Sequence, residues 1–197
     1  MAFLTEQQLH AIGFAALGSN VLISDKASIY GASRILIGHN VRIDDFCVLS
    51  AGEGGIEIGN YIHIAVYSSL IGAGKITLSD FCNISSRVAI YSSNDDYSGE
   101  YMTNPMVPIE YTKVTHTNVT LGKHVIIGSG SVVLPGVILF EGAAVGALSL
   151  ITKDCEAFGI YIGSPAKKIK NRKRGLLERE AQLLSTIDNK GNKSCLL

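Results

Sequence analysis

An aliphatic residue recurs at every sixth position in the second half of this chain of 197 residues. The column is clearest in the segment 121–156, where it consists of Leu121, Ile127, Val133, Leu139, Val145 and Ile151. The same spacing occurs earlier, interrupted by short insertions, at nine positions between Ile23 and Ile84. In an amphipathic strand apolar and polar residues alternate, and in an amphipathic helix apolar residues recur with a period near 3.6 residues. Neither element explains an apolar residue at every sixth position.

A second column, made of small residues, follows the first at a distance of four positions. Of its fifteen members only Ile62 is larger than Val. This pattern predicts a solenoid of short strands, in which three hexapeptides form three faces and close one triangular coil of about 18 residues. The aliphatic side chain fills the interior, and the small one fits the narrow space near a corner. Cys47, Cys82 and Cys155 belong to the small column and are predicted to be buried packing thiols.

The composition favours a well-developed core and argues against two classes of partner. Apolar residues make up 47 % of the chain, charged residues 17 %, and the formal net charge is +0, which argues against nucleic acid. No apolar run reaches the roughly 18 residues that span a bilayer. Residues 1–17 lack a basic start and contain polar residues, so they make a poor signal peptide. We therefore expect a cytoplasmic protein without a membrane partner.

Three segments are predicted along the chain. Residues 1–18 form an N-terminal cap, with a short helix opened by a capping box between Thr5 and Gln8. Residues 19–165 form the solenoid, with an excursion loop at 91–118. Residues 166–197 comprise a basic segment, a helix and a frayed tail. The helix is predicted from an apolar stripe with helical spacing in residues 171–187.

The repeat, together with the closing segment GSPAKKIKNRKR at 163–174, resembles the hexapeptide-repeat acyltransferases. The resemblance implies a left-handed parallel β-helix, a homotrimer with active sites between subunits, and an acyl-coenzyme A thioester as co-substrate. It further implies that the pantetheine arm runs along the late coils, flanked by Gly128, Ser129, Ala147, Leu148 and Ser149. The phosphates of coenzyme A would end near Lys168, Lys170 and Arg172; a solvated surface is the other interpretation of this basic run.

The excursion loop is the best place for acceptor chemistry, since loops of about 12–15 residues or more in a compact domain are commonly functional. A packing or subunit-contact arm is the alternative. Many members of the family carry a general-base His just after the last coil residue before this loop, and alignment puts Asp95 there. An Asp with an ordinary pKa of about 3.9 is a poor base for a hydroxyl but a good hydrogen-bond acceptor for an amino group. The segment Asn94, Asp95 and Asp96 therefore favours an amino acceptor, unless it is merely a turn.

The stretch NISSRVAIYSSNDDYSGEY is similar to N-acyltransferases that act on nucleotide-linked amino sugars, in particular dTDP-4-amino-4,6-dideoxyglucose on the viosamine and anthrose routes. This resemblance implies that Asp95 and Ser85 lie nearest the sugar amine, with Ser86 facing the same pocket. Catalysis would be mostly positioning, with the leaving thiolate collecting the proton.

Two other functions remain open. One is an O-acetyltransferase that uses His116 or His63 as its base; these two histidines are also the candidates to contact substrate in the cleft. The other is a β-helical scaffold without catalysis. The histidines offer no convincing set of three ligands for a metal site, so no metal is expected.

Overall fold

The computed structural model describes residues 2–194, with side chains described through residue 187, and is a left-handed β-helix of three parallel sheets. Strands are numbered in chain order. Sheet 1 contains β1 (Ala16–Leu17), β4 (Ile35–Ile37), β7 (Ile56–Ile58), β10 (Ile76–Leu78), β15 (Val119–Leu121) and β18 (Ile138–Leu139). Sheet 2 contains β2 (Val21–Ile23), β5 (Val41–Ile43), β8 (Ile62–Ile64), β11 (Asn83–Ile84), β16 (Ile126–Ile127), β19 (Ala144–Val145), β21 (Gly159–Ile162) and the antiparallel β22 (Lys167–Asn171). Sheet 3 contains β3 (Ser28–Tyr30), β6 (Val48–Ala51), β9 (Ser69–Gly72), β12 (Ala89–Tyr91), β17 (Val132–Val133) and β20 (Leu150–Ile151).

The aliphatic column forms the interior, as the period predicts. In sheet 2, for example, the register aligns Ile43, Ile64, Ile84, Ile127 and Val145 on consecutive coils. All five are buried. Stacking identical positions in this way buries a continuous apolar core with short strands alone.

The small column is buried too, apart from Ala27, which is half-buried in the first coil, and Ser33, which corrects the predicted pattern. Ser33 is exposed because it lies in a 3-10 helix, Ala32–Arg34, at one of the insertions in the repeat. The three cysteines of the column are free and buried. Burial raises the pKa of Cys47 to about 11 and those of Cys82 and Cys155 to about 12, which keeps these thiols protonated at neutral pH. The prediction that they are packing residues is confirmed.

Each coil has three corners, which are named here by what lies on them. The serine corner comprises the turns between sheets 2 and 3, and it includes Ser85 and Ser86. The loop corner comprises the turns between sheets 3 and 1, where residues 92–118 leave the coil after β12. The helix corner comprises the turns between sheets 1 and 2, where the C-terminal helix docks.

The two ends carry the two helices. Helix α1 (Glu6–Ile12) has the predicted capping box between Thr5 and Gln8, and its Leu9 is buried against the first coils. Helix α2 (Gly175–Ser194) follows β22 and takes in most of the stretch predicted to be frayed; residues 195–197 lie outside the described residues. Neither helix, within the part of the chain that is described, is long and apolar enough to cross a membrane.

Candidate active site

The excursion loop begins and ends in a two-stranded antiparallel sheet. Strand β13 (Ser93–Asn94) pairs with β14 (Thr115–His116), with Ser93 opposite His116. The Ser93 hydroxyl oxygen accepts a hydrogen bond from the Ala73 backbone N–H at 2.7 Å and lies 2.8 Å from Nδ1 of His116. These contacts order the start of the loop and fix the point at which Asp95 projects from it.

The three polar residues Asn94, Asp95 and Asp96 play different parts. Asp96 organises the loop, because its carboxylate accepts hydrogen bonds from the Ser98 hydroxyl at 2.9 and 3.0 Å and from two backbone N–H groups. The hydrogen bond from Ser98 holds the pKa of Asp96 below its ordinary value. The alternative that this polar segment merely forms a turn therefore holds for Asp96. The Asp95 carboxylate, by contrast, makes no hydrogen bond or ion pair with any described residue.

Asp95 lies where three shallow cavities meet at the loop corner. One, of about 260 Å³, is lined by Tyr91, Tyr97, Val132 and Leu134 as well as by residues 93–95. A second, of about 410 Å³, lies between Tyr97 and Tyr101. The third has an apolar wall that includes Pro105, Val107 and Ile109. An unpaired carboxylate between aromatic and aliphatic walls is suited to hold a polar cationic or amino group of an otherwise carbon-rich ligand.

Ser85 and Ser86 lie at the serine corner, at the other end of strand β12 from Asp95. The structure therefore does not bring Ser85 and Asp95 together within one chain, although they are ten residues apart in sequence. It instead brings the two serines together with the residues expected to flank the pantetheine arm. The backbone N–H of Gly130 donates to the carbonyl of Ser86 at 3.0 Å, and that of Leu148 donates to the carbonyl of Ser129 at 2.9 Å.

Two of the predicted donor-binding residues have structural roles at this corner. Ser149 is buried, and its hydroxyl donates to the carbonyl of Gly146 and accepts from the N–H of Gly163. A side chain at Gly128 would approach the backbone nitrogen of Ala147 to 2.5 Å, so the close approach of two coils requires glycine there. Ala147 and Leu148 are exposed and remain available to a ligand.

The two candidate histidines lie apart and have different partners. His116 is at the loop corner, beside Ser93. His63 lies on the outer face of sheet 2, where its Nε2 is 2.8 Å from Asp44, which also accepts from Arg42 at 2.7 Å. Burial opposes ionisation of Asp44, but the hydrogen bonds from Arg42 and His63 outweigh it and hold the pKa of Asp44 below its ordinary value.

The basic segment runs from one corner to another along β22. Lys167 lies opposite Ile162, at the end of β21 that leads to the serine corner, and Lys168 forms an ion pair with Glu156 at 2.7 Å. Lys170 is exposed. Arg172 lies at the helix corner, where its guanidinium donates to the carbonyls of His124 and Gly142 at 2.8 and 3.0 Å. Lys167 is therefore closer to the serine corner than Arg172, because the direction of β22 determines which basic residue lies at which corner. Lys167 was not predicted from the sequence as a donor-binding residue, since all basic residues of this run carry the same charge.

A β-helix of hexapeptide coils with a long excursion loop is the fold of the hexapeptide-repeat acyltransferases, and the relatives of the chain belong to that class. No protein-family model matches the chain. The chain is 65 % identical over 181 residues to a dTDP-4-amino-4,6-dideoxy-D-glucose acyltransferase from Escherichia coli, covering 92 % of this chain and 94 % of that one. It belongs to the same family as that enzyme, which confirms the resemblance seen in the sequence.

Solved structures of AntD, an N-acyltransferase from Bacillus cereus, are similar over most of the chain. The complex with dTDP and 3-hydroxybutyryl-CoA has a TM-score of 0.89 at 45 % identity and covers 94 % of this chain and 98 % of that one. Variants of one AntD aspartate and one AntD serine, ten positions apart, have also been solved with coenzyme A. A maltose O-acetyltransferase from Clostridium difficile, with a TM-score of 0.57 at 19 % identity, has the same fold.

Proposed function

We propose that this chain transfers an acyl group from a coenzyme A thioester to the 4-amino group of dTDP-4-amino-4,6-dideoxyglucose, in the cytoplasm. The observation that carries the proposal is the unpartnered Asp95 carboxylate in the loop-corner cleft, in a chain 65 % identical to an acyltransferase of that name. The AntD complexes with dTDP-4-amino-4,6-dideoxyglucose and coenzyme A support the same acceptor and donor. Free buried thiols are typical of a reducing compartment and support the location.

The chemistry requires little from any single side chain. The neutral amine attacks the thioester carbonyl carbon, a C–N bond forms, and the C–S bond breaks. The leaving thiolate takes up the proton that the nitrogen loses. Asp95 accepts a hydrogen bond from the amine and aims its lone pair, so the enzyme acts mainly by positioning.

The active site is proposed to form between subunits of a homotrimer. Ser85 and Asp95 have the spacing of the serine and aspartate altered in AntD, yet in one chain they lie at opposite ends of β12. Cyclic symmetry joins different surfaces of neighbouring copies, so it can pair the loop corner of one subunit with the serine corner of the next. Sheet 3 connects these corners, and its outward ladder is small or apolar and half-buried, as a subunit contact requires: Val48, Ser69, Ala89, Val132 and Leu150.

The acceptor class is tested by thiol release from acetyl-CoA and from 3-hydroxybutyryl-CoA. We expect turnover with the 4-amino sugar nucleotide, and background rates with its 4-hydroxy counterpart and without acceptor, since only the amine attacks without a base. Mass spectrometry of the product identifies the amide. Equal turnover with the 4-hydroxy compound would contradict the proposal and support an O-acetyltransferase.

The two ends of β22 are expected to differ in their contribution. Lys167→Ala should raise the KM for the CoA thioester about threefold with the melting temperature unchanged, because a cation near the serine corner is lost. The increase should shrink with a donor that lacks its 3′-phosphate.

Arg172→Ala should lower the melting temperature by about 2–6 °C with little change in the KM for the CoA thioester, since two carbonyls lose their hydrogen-bond donor. The reverse pattern would show that Arg172 contacts the donor.

A further inference from the structure

The excursion loop leaves the solenoid and returns to it on one turn of the preceding coil, residues 72–74. The buried Ser92 hydroxyl donates to the carbonyl of Gly74 at 2.7 Å. The carbonyl of Ser92 accepts from the N–H of Thr117, which directly follows β14, at 3.0 Å. A side chain at Gly74 would approach the carbonyl oxygens of Ser92 and Thr117 to 2.9 and 2.8 Å, so this turn requires glycine. Both ends of the loop are therefore fixed to the body of the solenoid.

The hydroxyl of Ser93 joins the outgoing strand β13 to its two supports. It accepts from the Ala73 N–H of the preceding coil at 2.7 Å and lies 2.8 Å from Nδ1 of His116 on the returning strand β14. The next pair of residues in this two-stranded sheet adds a hydrogen bond, because the Thr115 hydroxyl donates to the carbonyl of Asn94 at 3.3 Å. The outgoing strand is therefore held through Asn94, both from the coil below it and from the strand beside it.

Asp96 fixes the chain on the other side of Asp95. Its carboxylate accepts hydrogen bonds from the Ser98 hydroxyl and from the N–H groups of Gly99 at 3.1 Å and Tyr101 at 3.3 Å. Between these two fixed points the Asp95 carboxylate has no partner among the described residues, and it lies where the loop-corner cavities meet. A free functional group on a backbone that is held on both sides is the arrangement of a preorganised site.

We infer that Ser93 is a positioning residue for the acyl transfer, whose hydroxyl sets the direction in which the Asp95 carboxylate meets the amine. The inference rests on the proposed function and deepens it, because it concerns the same aspartate. A backbone that is oriented in advance spares the reaction the entropic cost of aligning the carboxylate with the amine. The hydrogen bond from the Ala73 N–H persists when the imidazole of His116 is removed, which agrees with a small effect of His116→Ala.

Steady-state kinetics of the full-length protein with the 4-amino sugar nucleotide tests the inference. Ser93→Ala should lower kcat/KM for the acceptor about three- to tenfold, with the KM for the CoA thioester unchanged, because the loop loses one hydrogen-bonded support. Ser93→Cys, which keeps the volume but is a weak acceptor, should show the same loss. Ser93→Thr, which keeps the hydroxyl, should stay within about twofold of wild type.

The chain offers a matched control and a double variant. At the helix corner of the first coil the Ser19 hydroxyl lies 2.9 Å from Nδ1 of His39, so Ser19→Ala removes the same kind of contact and should leave kcat/KM unchanged. If Ser93 acts through Asp95, adding Ser93→Ala to Asp95→Ala should lower kcat/KM by less than about twofold further. Direct contact of Ser93 with the substrate, whose cavity it also lines, would instead give the same loss in both backgrounds.

Two results would overturn the inference while leaving the proposed function intact. One is wild-type kcat/KM for the acceptor in Ser93→Ala and Ser93→Cys, and either variant alone decides this if the other does not fold. The other is an equal loss from Ser93→Ala with and without Asp95→Ala, which would show that the hydroxyl does not act through the aspartate. A wild-type protein that acylated only the 4-hydroxy counterpart would instead overturn the proposed function and this inference with it.

Discussion

Replacing Asp95 with Ala is expected to lower kcat/KM for the amino-sugar nucleotide by about ten- to a hundredfold. A hydrogen bond to a charged group is worth roughly 1.5–3 kcal/mol, and the variant loses the one that Asp95 is proposed to accept from the amine. Because the Asp95 carboxylate has no partner among the described residues, its removal breaks no contact within the protein. Asp95→Asn should keep more turnover, with its defect mainly in the KM for the acceptor. Steady-state kinetics with each substrate varied in turn measures both effects, and the KM for the CoA thioester should not change.

The histidine variants serve as the comparison. His116→Ala and His63→Ala should each change kcat by less than about threefold, because an amine needs no base to attack. In wild type and in Asp95→Ala alike, the rate should rise with pH as the substrate amine deprotonates. A thousandfold drop in kcat for either histidine variant, with fold and CoA binding intact, would demonstrate a histidine base and favour a hydroxyl acceptor.

Co-expression of two impaired variants is expected to restore activity. Asp95→Ala removes the loop-corner residue, and Ala147→Trp blocks the serine corner, where Ala147 is exposed. If each site joins the loop corner of one subunit to the serine corner of the next, random assembly leaves about a quarter of the sites with both corners intact. The specific activity of the mixture should therefore rise from the low residual activity of the single variants to about a quarter of wild type.

The control for this experiment is mixing the purified variants under conditions in which subunits do not exchange, which should give no gain. Sedimentation of the wild-type protein should give a trimer. If the co-expressed mixture stayed at the residual activity of the single variants although mixed oligomers formed, each site would lie within one chain, and the proposed subunit pairing would be wrong.

The repeat and the type of chemistry were predictable from local sequence. The period of six dictates which side chains face inward, and Ile43, Ile64 and Ile84 occupy the interior as predicted. The capping box at Thr5 was equally visible, because its partners are three residues apart. Both patterns are short-range, so the residues that make them are neighbours in sequence as well as in space.

The grouping of the site residues, in contrast, was decided by the tertiary structure. Ser85 and Asp95 are close in sequence but lie at opposite ends of β12, because a coil turns a corner at every hexapeptide. Asp96 and Asp95 look alike in the sequence, yet only Asp96 is held by its own loop. Arg172 belongs to a basic run, but stacking of distant coils places two carbonyls beside it at the helix corner. Composition and spacing specify the inside of each coil, whereas the partners of an outward side chain depend on which coil, corner or subunit packs against it.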